Sequence, residues 1–274
     1  MQLIALLLSH SLVFSPQPDI SLDVTKTAQS KPWSFFAPHQ TEHIANAYVA
    51  EQIEAKGGIF VVLKQNGRRY IQLNINDALY QIDPNRIFTP LGRKHTLLRL
   101  NPELANNQVD YDLALNRSEA LANFILQTMN AQNVKTWVAV HNNTNGYSDD
   151  AHGGRGTISI NRYAKKLASG AKYLIQVHDA GKDEDDLFFI THADDFKAMS
   201  QAGHNVVLQN PKVADDPTED DGSLSVLAEK QGNRYINIET ERVDQDGFGD
   251  NHLTQQKHMV DLVFDLLTNA GESK

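Results

Sequence analysis

Short apolar runs alternate with longer amphipathic stretches along most of the chain beyond residue 30. The runs 59–63 and 136–140 are almost continuously apolar, which predicts buried strands. Further strands are predicted over 33–36, 70–74, 173–177, 187–191, 205–208 and 235–238. Helical periodicity predicts helices over 44–55, within 102–132, over 194–201, after the polar loop 214–222, and over 254–269. Because strands alternate with helices, we expect an α/β fold with a mixed, mostly parallel sheet and helices on both faces.

The amino end carries an apolar run over residues 1–14 that is too short to span a bilayer as a mature helix. Its length is typical of the apolar region of a secretory signal peptide, and the polar stretch 15–18 follows it. No Lys or Arg precedes the run and no Ala-x-Ala site follows it, so a first buried strand of the domain is the alternative. We expect residues 1–18 to be a signal peptide and residues 19–274 a single domain. The expected location is periplasmic or secreted, with a cytoplasmic location as the alternative.

The amino-acid composition limits the partners and the metal ligands that the chain can have. The chain has 274 residues and a formal net charge of −9, which argues against nucleic acid as a partner. We also expect no membrane span in the mature chain. The sequence contains no cysteine, so a metal must be held by His, Asp or Glu, and these donors suit zinc.

Two polar motifs follow predicted strands in the first third of the chain. His39 and Glu42 come after the strand 33–36, and residues three apart at a helix entrance can face one ion together. Alone, this motif also fits a capping carboxylate beside a surface histidine. Asn85 and Arg86 follow Asp83-Pro84 and offer an amide and a guanidinium for a carboxylate or an oxyanion. A turn whose arginine pairs with a surface acid is the alternative.

Two more motifs lie at strand ends further along. His141 follows the apolar run 136–140, and His178 and His192 occupy similar positions after other strands. Glu239 and Glu241 end the strand that begins near residue 235. A glutamate there can accept a proton from a metal-bound water and pass it to a leaving amine.

The order of these four motifs resembles the zinc carboxypeptidase-like superfamily, which includes the M14 metallocarboxypeptidases and the succinylglutamate desuccinylase and aspartoacylase amidohydrolases. The resemblance covers the chain from about residue 33 to the last helix. Three features depart from the family: no glycine follows His39, the stretch between Glu42 and Asn85 is shorter than in large carboxypeptidases, and the segment 220–225 stands where a tyrosine-bearing segment is expected. Exopeptidase specificity is therefore left open. The resemblance implies that His39, Glu42 and His141 are zinc ligands and that Glu239, or Glu241 in its place, is the catalytic base. It also implies that Asn85 and Arg86 bind the substrate and that Arg86 takes part in catalysis. An oxyanion-stabilising arginine is implied in the pair Arg68-Arg69, of which Arg69 is included among the candidate substrate-binding residues.

The function implied is a zinc-dependent hydrolase that cleaves an amide or peptide bond in a peptide or acyl-amino-acid substrate. If the protein is exported, cell-wall peptides belong to that class. One alternative is an inverted-zincin metallopeptidase that uses His39-x-x-Glu42-His43 within a helix and Glu119 as a further acid. Another is a non-catalytic binding domain of the same fold. The acidic runs 183–186 and 215–221 then either bind Ca²⁺ or form solvated surface.

Overall fold

The computed structural model describes residues 7–131, 133–146, 155–243, 246–247 and 249–269. Its strands are β1 (Leu7–Val13), β2 (Ser21–Thr27), β3 (Trp33–Ala37), β4 (Ile59–Lys64), β5 (Ile71–Ile75), β6 (Ala78–Ile82), β7 (Thr136–Asn143), β8 (Leu174–His178), β9 (Leu187–Ile190), β10 (Asn205–Gln209) and β11 (Arg234–Glu241). Its helices are α1 (Asn46–Lys56), α2 (Pro90–Leu100), α3 (Gln108–Met129), α4 (Ile160–Ala168), α5 (Ala193–Gln201), α6 (Leu224–Gln231) and α7 (Leu253–Asn269). Three 3-10 turns cover Pro84–Arg86, Pro102–Asn106 and Pro211–Ala214.

Nine of the described strands form one sheet in the order β1-β2-β4-β3-β7-β11-β9-β10-β8, and β5 and β6 form a separate hairpin. The centre, β4-β3-β7-β11, is parallel, whereas antiparallel pairs join β1, β2 and β4 on one side and β11 to β9 on the other. The predicted mixed α/β sheet is confirmed. Because the central strands run the same way, the residues that end them meet at one edge of the sheet.

Helices cover both faces of the sheet, as predicted. Successive side chains of β7 point to opposite faces of the sheet and so belong to two apolar clusters. Trp137 and Ala139 face one cluster, and Val138 and Val140 face the other. Helices α2, α3 and α6 pack on the Trp137 face, and α1, α5 and α7 pack on the opposite face. Functional residues carried on the Trp137 face therefore lie on the same side as α3.

Several elements differ from the sequence prediction. Helix α1 begins at Asn46, two residues later than predicted, and Gly57 ends it with a positive φ of 87°. Strands β2 and β6 and helices α2 and α4 were not predicted. Helix α2 begins with a clear sequence signal, because the Thr89 hydroxyl accepts a hydrogen bond from the Gly92 N–H at 3.1 Å and Pro90 occupies the first turn.

The amino-terminal apolar run contributes β1, which pairs antiparallel with β2 from Leu7 opposite Thr27 to Val13 opposite Ser21. The strand lies at the margin of the sheet and Val13 is 56% exposed, so it is an edge strand and not the buried strand considered as the alternative. The signal peptide stays a prediction. Among the described residues, no helix combines the length and the hydrophobicity that a membrane span requires.

Candidate metal centre

His39 and Glu42 lie in the turn between β3 and α1, where both side chains are buried. The N–H of Glu42 donates to the carbonyl of His39 at 3.0 Å, which closes this turn before the helix begins. Both residues therefore follow the carboxyl end of a central strand, as the sequence predicts.

His141 lies on β7 opposite Glu239 of β11, at the same edge of the sheet as the turn that carries Glu42. Its Nδ1 lies 2.8 Å from Oε2 of Glu42, and its ring centroid lies 5.7 Å from that of His39. One ligand atom from each of His39, Glu42 and His141 lies within 4.8 Å of the other two. Small side-chain movements would bring all three to the distance of about 2.0–2.2 Å that zinc requires.

His39 is held by two hydrogen bonds that define its tautomer. Nδ1 lies 2.9 Å from the carbonyl oxygen of Arg69, so it is the protonated nitrogen, and Nε2 accepts from the Asn85 amide at 2.8 Å. Burial lowers the pKa of His39 to about 4, which keeps the ring neutral near pH 7. A ring whose Nδ1 donates to a backbone carbonyl is the usual form of a histidine that binds metal through Nε2. A metal at His39 would take the place of the Asn85 amide.

Glu42 is a buried carboxylate surrounded by basic side chains. Burial acts to raise its pKa, but His39, His141 and the Arg69 guanidinium outweigh it and hold the pKa at about 2. Arg69 forms an ion pair with Oε1, while His141 contacts Oε2. Glu42 is therefore ionised at any working pH, as a metal ligand must be.

Glu239 is buried beside this group. Oε1 accepts a hydrogen bond from the Asn237 amide at 3.0 Å, and the Asn143 amide lies 3.5 Å from Oε2. Burial raises the pKa of Glu239 above its ordinary value. Burial also acts to lower the pKa of His141, but the carboxylates of Glu239 and Glu42 outweigh it and the net shift is upward. Glu239 thus has the environment of a proton acceptor that is more basic than an ordinary glutamate.

A cavity of about 790 Å³ opens over these residues. Glu42, His141 and Glu239 line it, together with Asn85 and Arg86 from the Pro84–Arg86 turn. Among the described residues that line it, basic side chains outnumber acidic ones, although the chain as a whole carries a charge of −9. The basic set is Arg69, Arg86, Arg155, Arg162, Lys166 and Arg242, and the acidic set is Glu42, Glu219, Asp221 and Glu239. Such a lining favours an anionic ligand.

The segment 220–225 forms one wall of this cavity. Asp221 forms an ion pair with Arg86, and buried Asp220 accepts from the Thr89 hydroxyl at 2.5 Å and pairs with Lys230 at 3.1 Å. The end of the acidic run 215–221 is therefore fixed to the protein and is not merely solvated surface. A Cβ on Gly92 would overlap the backbone of Gly222, so the close approach of the two segments requires glycine.

The inverted-zincin alternative is contradicted by the structure. His39, Glu42 and His43 all precede α1, so they do not form the helical motif that this arrangement needs. His43 is exposed, and Glu119 lies on α3 in an ion pair with Arg93 at 3.0 Å. Neither residue belongs to the cluster of His39, Glu42 and His141.

The two competing histidines also lie away from the group. His192 follows β9, which runs antiparallel to β11, so it lies at the opposite edge of the sheet. His178 ends β8, which is separated from β7 by β10, β9 and β11. Glu241 lies two residues beyond Glu239 and does not line the cavity. Arg69 lines the cavity, whereas its neighbour Arg68 does not.

Sequence reasoning missed two residues that position the site. No role is predicted for Gln40 from the sequence, yet its Oε1 accepts from the N–H groups of Gln65 and Gly67, each at 2.9 Å, and fixes the turn before Arg69. Gln256 on α7 donates to the carbonyl of His141 at 2.9 Å. The polarity of Gln40 inside the motif was the available signal, whereas the role of Gln256 depends on long-range packing.

Neither a protein-family model nor a curated protein sequence matches this chain. The structure resembles succinylglutamate desuccinylase from Chromobacterium violaceum, with 12% identity, a TM-score of 0.46, and coverage of 96% of this chain and 70% of that one. It also resembles the cell shape determinant Csd4 from Helicobacter pylori with a bound tripeptide (14% identity, TM-score 0.42, coverage of 96% and 56%). For apo Csd4 the identity is 13%, the TM-score 0.44, and the coverage 96% and 55%.

The chain therefore spans little more than half the length of Csd4. Succinylglutamate desuccinylase, one of the families named from the order of the sequence motifs, is among the solved structures that this fold resembles.

Proposed function

We propose that this chain is a zinc-dependent hydrolase that cleaves an amide or peptide bond. The observation that carries the proposal is the meeting of His39, Glu42 and His141 with Glu239 at one edge of the sheet, beside a cavity large enough for a small substrate. Three nitrogen and carboxylate donors with an adjacent carboxylate base are the equipment of a zinc hydrolase.

His39, Glu42 and His141 are the residues that would hold the zinc. The donor set fits, because His39 is neutral with its Nε2 lone pair available once the Asn85 amide moves aside, and Glu42 is ionised. When bound, zinc lowers the pKa of a coordinated water and polarises a carbonyl oxygen.

Glu239 is the general base in this proposal. Its carboxylate is buried with a raised pKa and lies beside the metal-binding group on the neighbouring strand. A carboxylate in this environment takes a proton from the attacking water and delivers it to the nitrogen of the leaving amine.

Arg69, Arg86 and Asn85 supply the polar contacts for the substrate. Arg69 lies against Glu42, within the same wall of the cavity, which suits it to the negative charge that develops on the attacked carbonyl. Arg86 and Asn85 suit a substrate carboxylate, for which Arg86 would exchange its partner Asp221. The basic lining supports a peptide or an acyl-amino acid that carries a carboxylate. Cell-wall peptides belong to this class if the protein is exported, which stays a prediction.

Metal analysis joined to turnover tests the proposal. We expect His141→Ala to lose one equivalent of zinc and all hydrolysis of peptides and N-acyl-amino acids, while the matched strand-end variant His178→Ala keeps both. A protein that binds zinc through His141 but hydrolyses no amide would be a binding domain and not an enzyme. Equal zinc content in both variants would refute the assigned ligands.

A further inference from the structure

A second group of metal-binding side chains lies beside the first, at the carboxyl end of β11. Asp183 and Asp185 precede β9, Glu241 ends β11, and His252 directly precedes α7. Because β9 runs antiparallel to β11, the start of one strand meets the end of the other. One ligand atom from each of these four side chains lies within 4.8 Å of the other three.

Glu241 and His252 each have one polar atom tied to the protein and one turned towards the group. Oε1 of Glu241 accepts from the N–H of Asp250 at 2.7 Å, and Oε2 lies 3.5 Å from Nε2 of His252. Nδ1 of His252 donates to Asp186 at 2.8 Å, the arrangement in which a carboxylate orients a metal-binding imidazole. Two ligands of a tetrahedral zinc are about 3.3–3.5 Å apart, given bonds of about 2.0–2.2 Å.

Asp185 supplies an independent indication of a missing partner. Its side chain is completely buried; Oδ2 accepts from the N–H of Gly146 at 2.5 Å, but Oδ1 has no hydrogen-bond partner within the described part of the chain. The residue is fixed in place, because the Asn143 amide donates to its carbonyl at 2.8 Å. A buried carboxylate oxygen in this position needs a cation or a proton.

The local charge favours a cation. Asp183, Asp185, Asp186 and Glu241 bring four carboxyl groups together, and within the described part of the chain their ion pairs are with His252 alone. One imidazole does not balance four acids, whereas a divalent ion would neutralise two of the four negative charges. The presence of an imidazole nitrogen among the donors favours zinc or a similar transition metal over Ca²⁺ or Mg²⁺, which take oxygen ligands.

We propose that Asp183, Asp185, Glu241 and His252 bind a second divalent ion of the zinc class. The ion ties the start of β9 to the end of β11 and to the start of α7. None of its four ligands lines the cavity, so it is a structural ion and its binding does not depend on the proposed hydrolase activity. Asn143 connects the two centres, since its amide contacts both the Asp185 carbonyl and Glu239.

Elemental analysis of the full-length protein tests the second ion. Chelator-stripped protein is dialysed against Zn²⁺ and then against metal-free buffer, and zinc per chain and the thermal midpoint are measured. We expect two ions in the wild type and one in Asp185→Asn. Asp183→Asn also keeps one, and because Asp183 is exposed this variant guards against a folding defect at the buried position. The control Asp215→Asn, an exposed acid outside the group, keeps two.

Further arms separate this proposal from the first. Asp186→Asn, which removes the partner of His252, weakens the second site about 10- to 100-fold. His141→Ala loses the first ion and keeps the second; if it keeps both while Asp183→Asn loses one, the second site stands and the proposed ligand set of the hydrolase fails. Wild-type zinc content in both Asp183→Asn and Asp185→Asn overturns the second site, because the carboxyls then share a proton. Displacement of this zinc by equimolar Ca²⁺ overturns the assigned metal class.

Discussion

Two groups of carboxyl and imidazole side chains lie side by side at the carboxyl ends of β7 and β11, and they differ in how the charge of their buried carboxyls is balanced. In the first, Glu42 contacts the Arg69 guanidinium and the His141 ring. In the second, Asp185 and Glu241 have no guanidinium or ammonium partner among the described residues. Glu42, Asp185 and Glu241 are therefore buried to a similar degree but have different counter-charges.

The pKa values of Glu42 and Asp185 are shifted in opposite directions, because these two buried carboxyls have different partners. Burial acts to raise the pKa of Glu42, yet its cationic neighbours hold the pKa at about 2. Burial raises the pKa of Asp185 to about 9 and that of Asp186 to about 6, with nearby acids adding to the shift at both. A buried carboxyl can thus be suited to a metal in two ways. Either neighbouring cations keep it ionised, or it lacks a cationic partner and a metal ion would supply the positive charge.

Access also separates the two groups. Glu42, His141 and Glu239 line the cavity, and the four ligands of the second group do not. We therefore expect the first group to take part in catalysis and the second to stabilise the fold. Glu239 and Glu241 carry this contrast on one strand, since they are two residues apart and their side chains lie on the same face of β11.

The largest effect is expected when these two glutamates are exchanged for glutamine. Glu239→Gln removes the base and should lower kcat/KM for amide hydrolysis by about 10²- to 10⁴-fold, the range of general-base contributions. Glu241→Gln should leave kcat/KM within about tenfold of the wild type and reduce the zinc content by one ion. Steady-state kinetics and elemental analysis on both variants measure the contrast.

The opposite pattern would remove the distinction between the two groups. If Glu241→Gln abolished turnover and Glu239→Gln did not, Glu241 would be the base and the cavity would not mark the reaction centre. Equal losses in both variants would mean that the two groups act as one unit.

Removing the Arg69 guanidinium, a counter-charge of Glu42, is expected to make the charge balance of the first group resemble that of the second. Arg69→Ala should raise the pKa of Glu42. When the pH is lowered, this variant should therefore lose zinc at a higher pH than the wild type does. Loss of one charge-assisted contact in the transition state should also lower kcat/KM by about 10- to 100-fold. Arg68→Ala is the matched control, because this exposed neighbour does not line the cavity. An unchanged pH profile in Arg69→Ala would show that the imidazoles alone keep Glu42 ionised.

In the second group the pH dependence should have the opposite sign. The pKa of Asp185 is about 9 in the folded protein and about 4 in an unfolded chain. Ionisation therefore favours unfolding, and the metal-free protein loses stability as the pH rises from about 4 to about 9. Asp185→Asn keeps an acceptor for the Gly146 N–H and should raise the metal-free thermal midpoint at pH 7, by about 2–4 °C for each kcal/mol of this cost, and leave it unchanged near pH 4. Calorimetry on chelated protein measures this difference, and a midpoint lowered at pH 7 would contradict it.

Much of the fold could be predicted because its central strands are nearly continuous apolar runs. The strands β4 and β7 are buried on both faces, and their sequences show it directly. The missed strand β2 alternates polar and buried residues at the margin, and β6 belongs to a small hairpin. Helix α4 was missed for a related reason: within its nine residues only Ile160 is fully buried, so its apolar stripe is short.

The first group could be proposed from sequence because each member follows an apolar run. Three of the parallel strands bring those ends to one edge, so a linear order of motifs becomes a cluster in space. The second group could not be proposed as a site in this way. Asp183 and Asp185 were visible only as an acidic run, and their meeting with Glu241 and His252 depends on the antiparallel direction of β9 and on where α7 begins. No local pattern reports either fact.

The smallest effect is expected at His43, which is adjacent in sequence to Glu42 and absent from both groups. Its side chain is exposed and it precedes α1, so the ring has no part in metal binding. His43→Ala should keep the zinc content of the wild type and a kcat/KM within about twofold, as expected for an exposed substitution worth no more than about 0.5 kcal/mol. Elemental analysis and kinetics on this variant, beside His39→Ala, measure the contrast between two histidines four residues apart. Loss of one zinc in His43→Ala with retention in His39→Ala would reverse the ligand assignment and return the inverted-zincin motif to the first place.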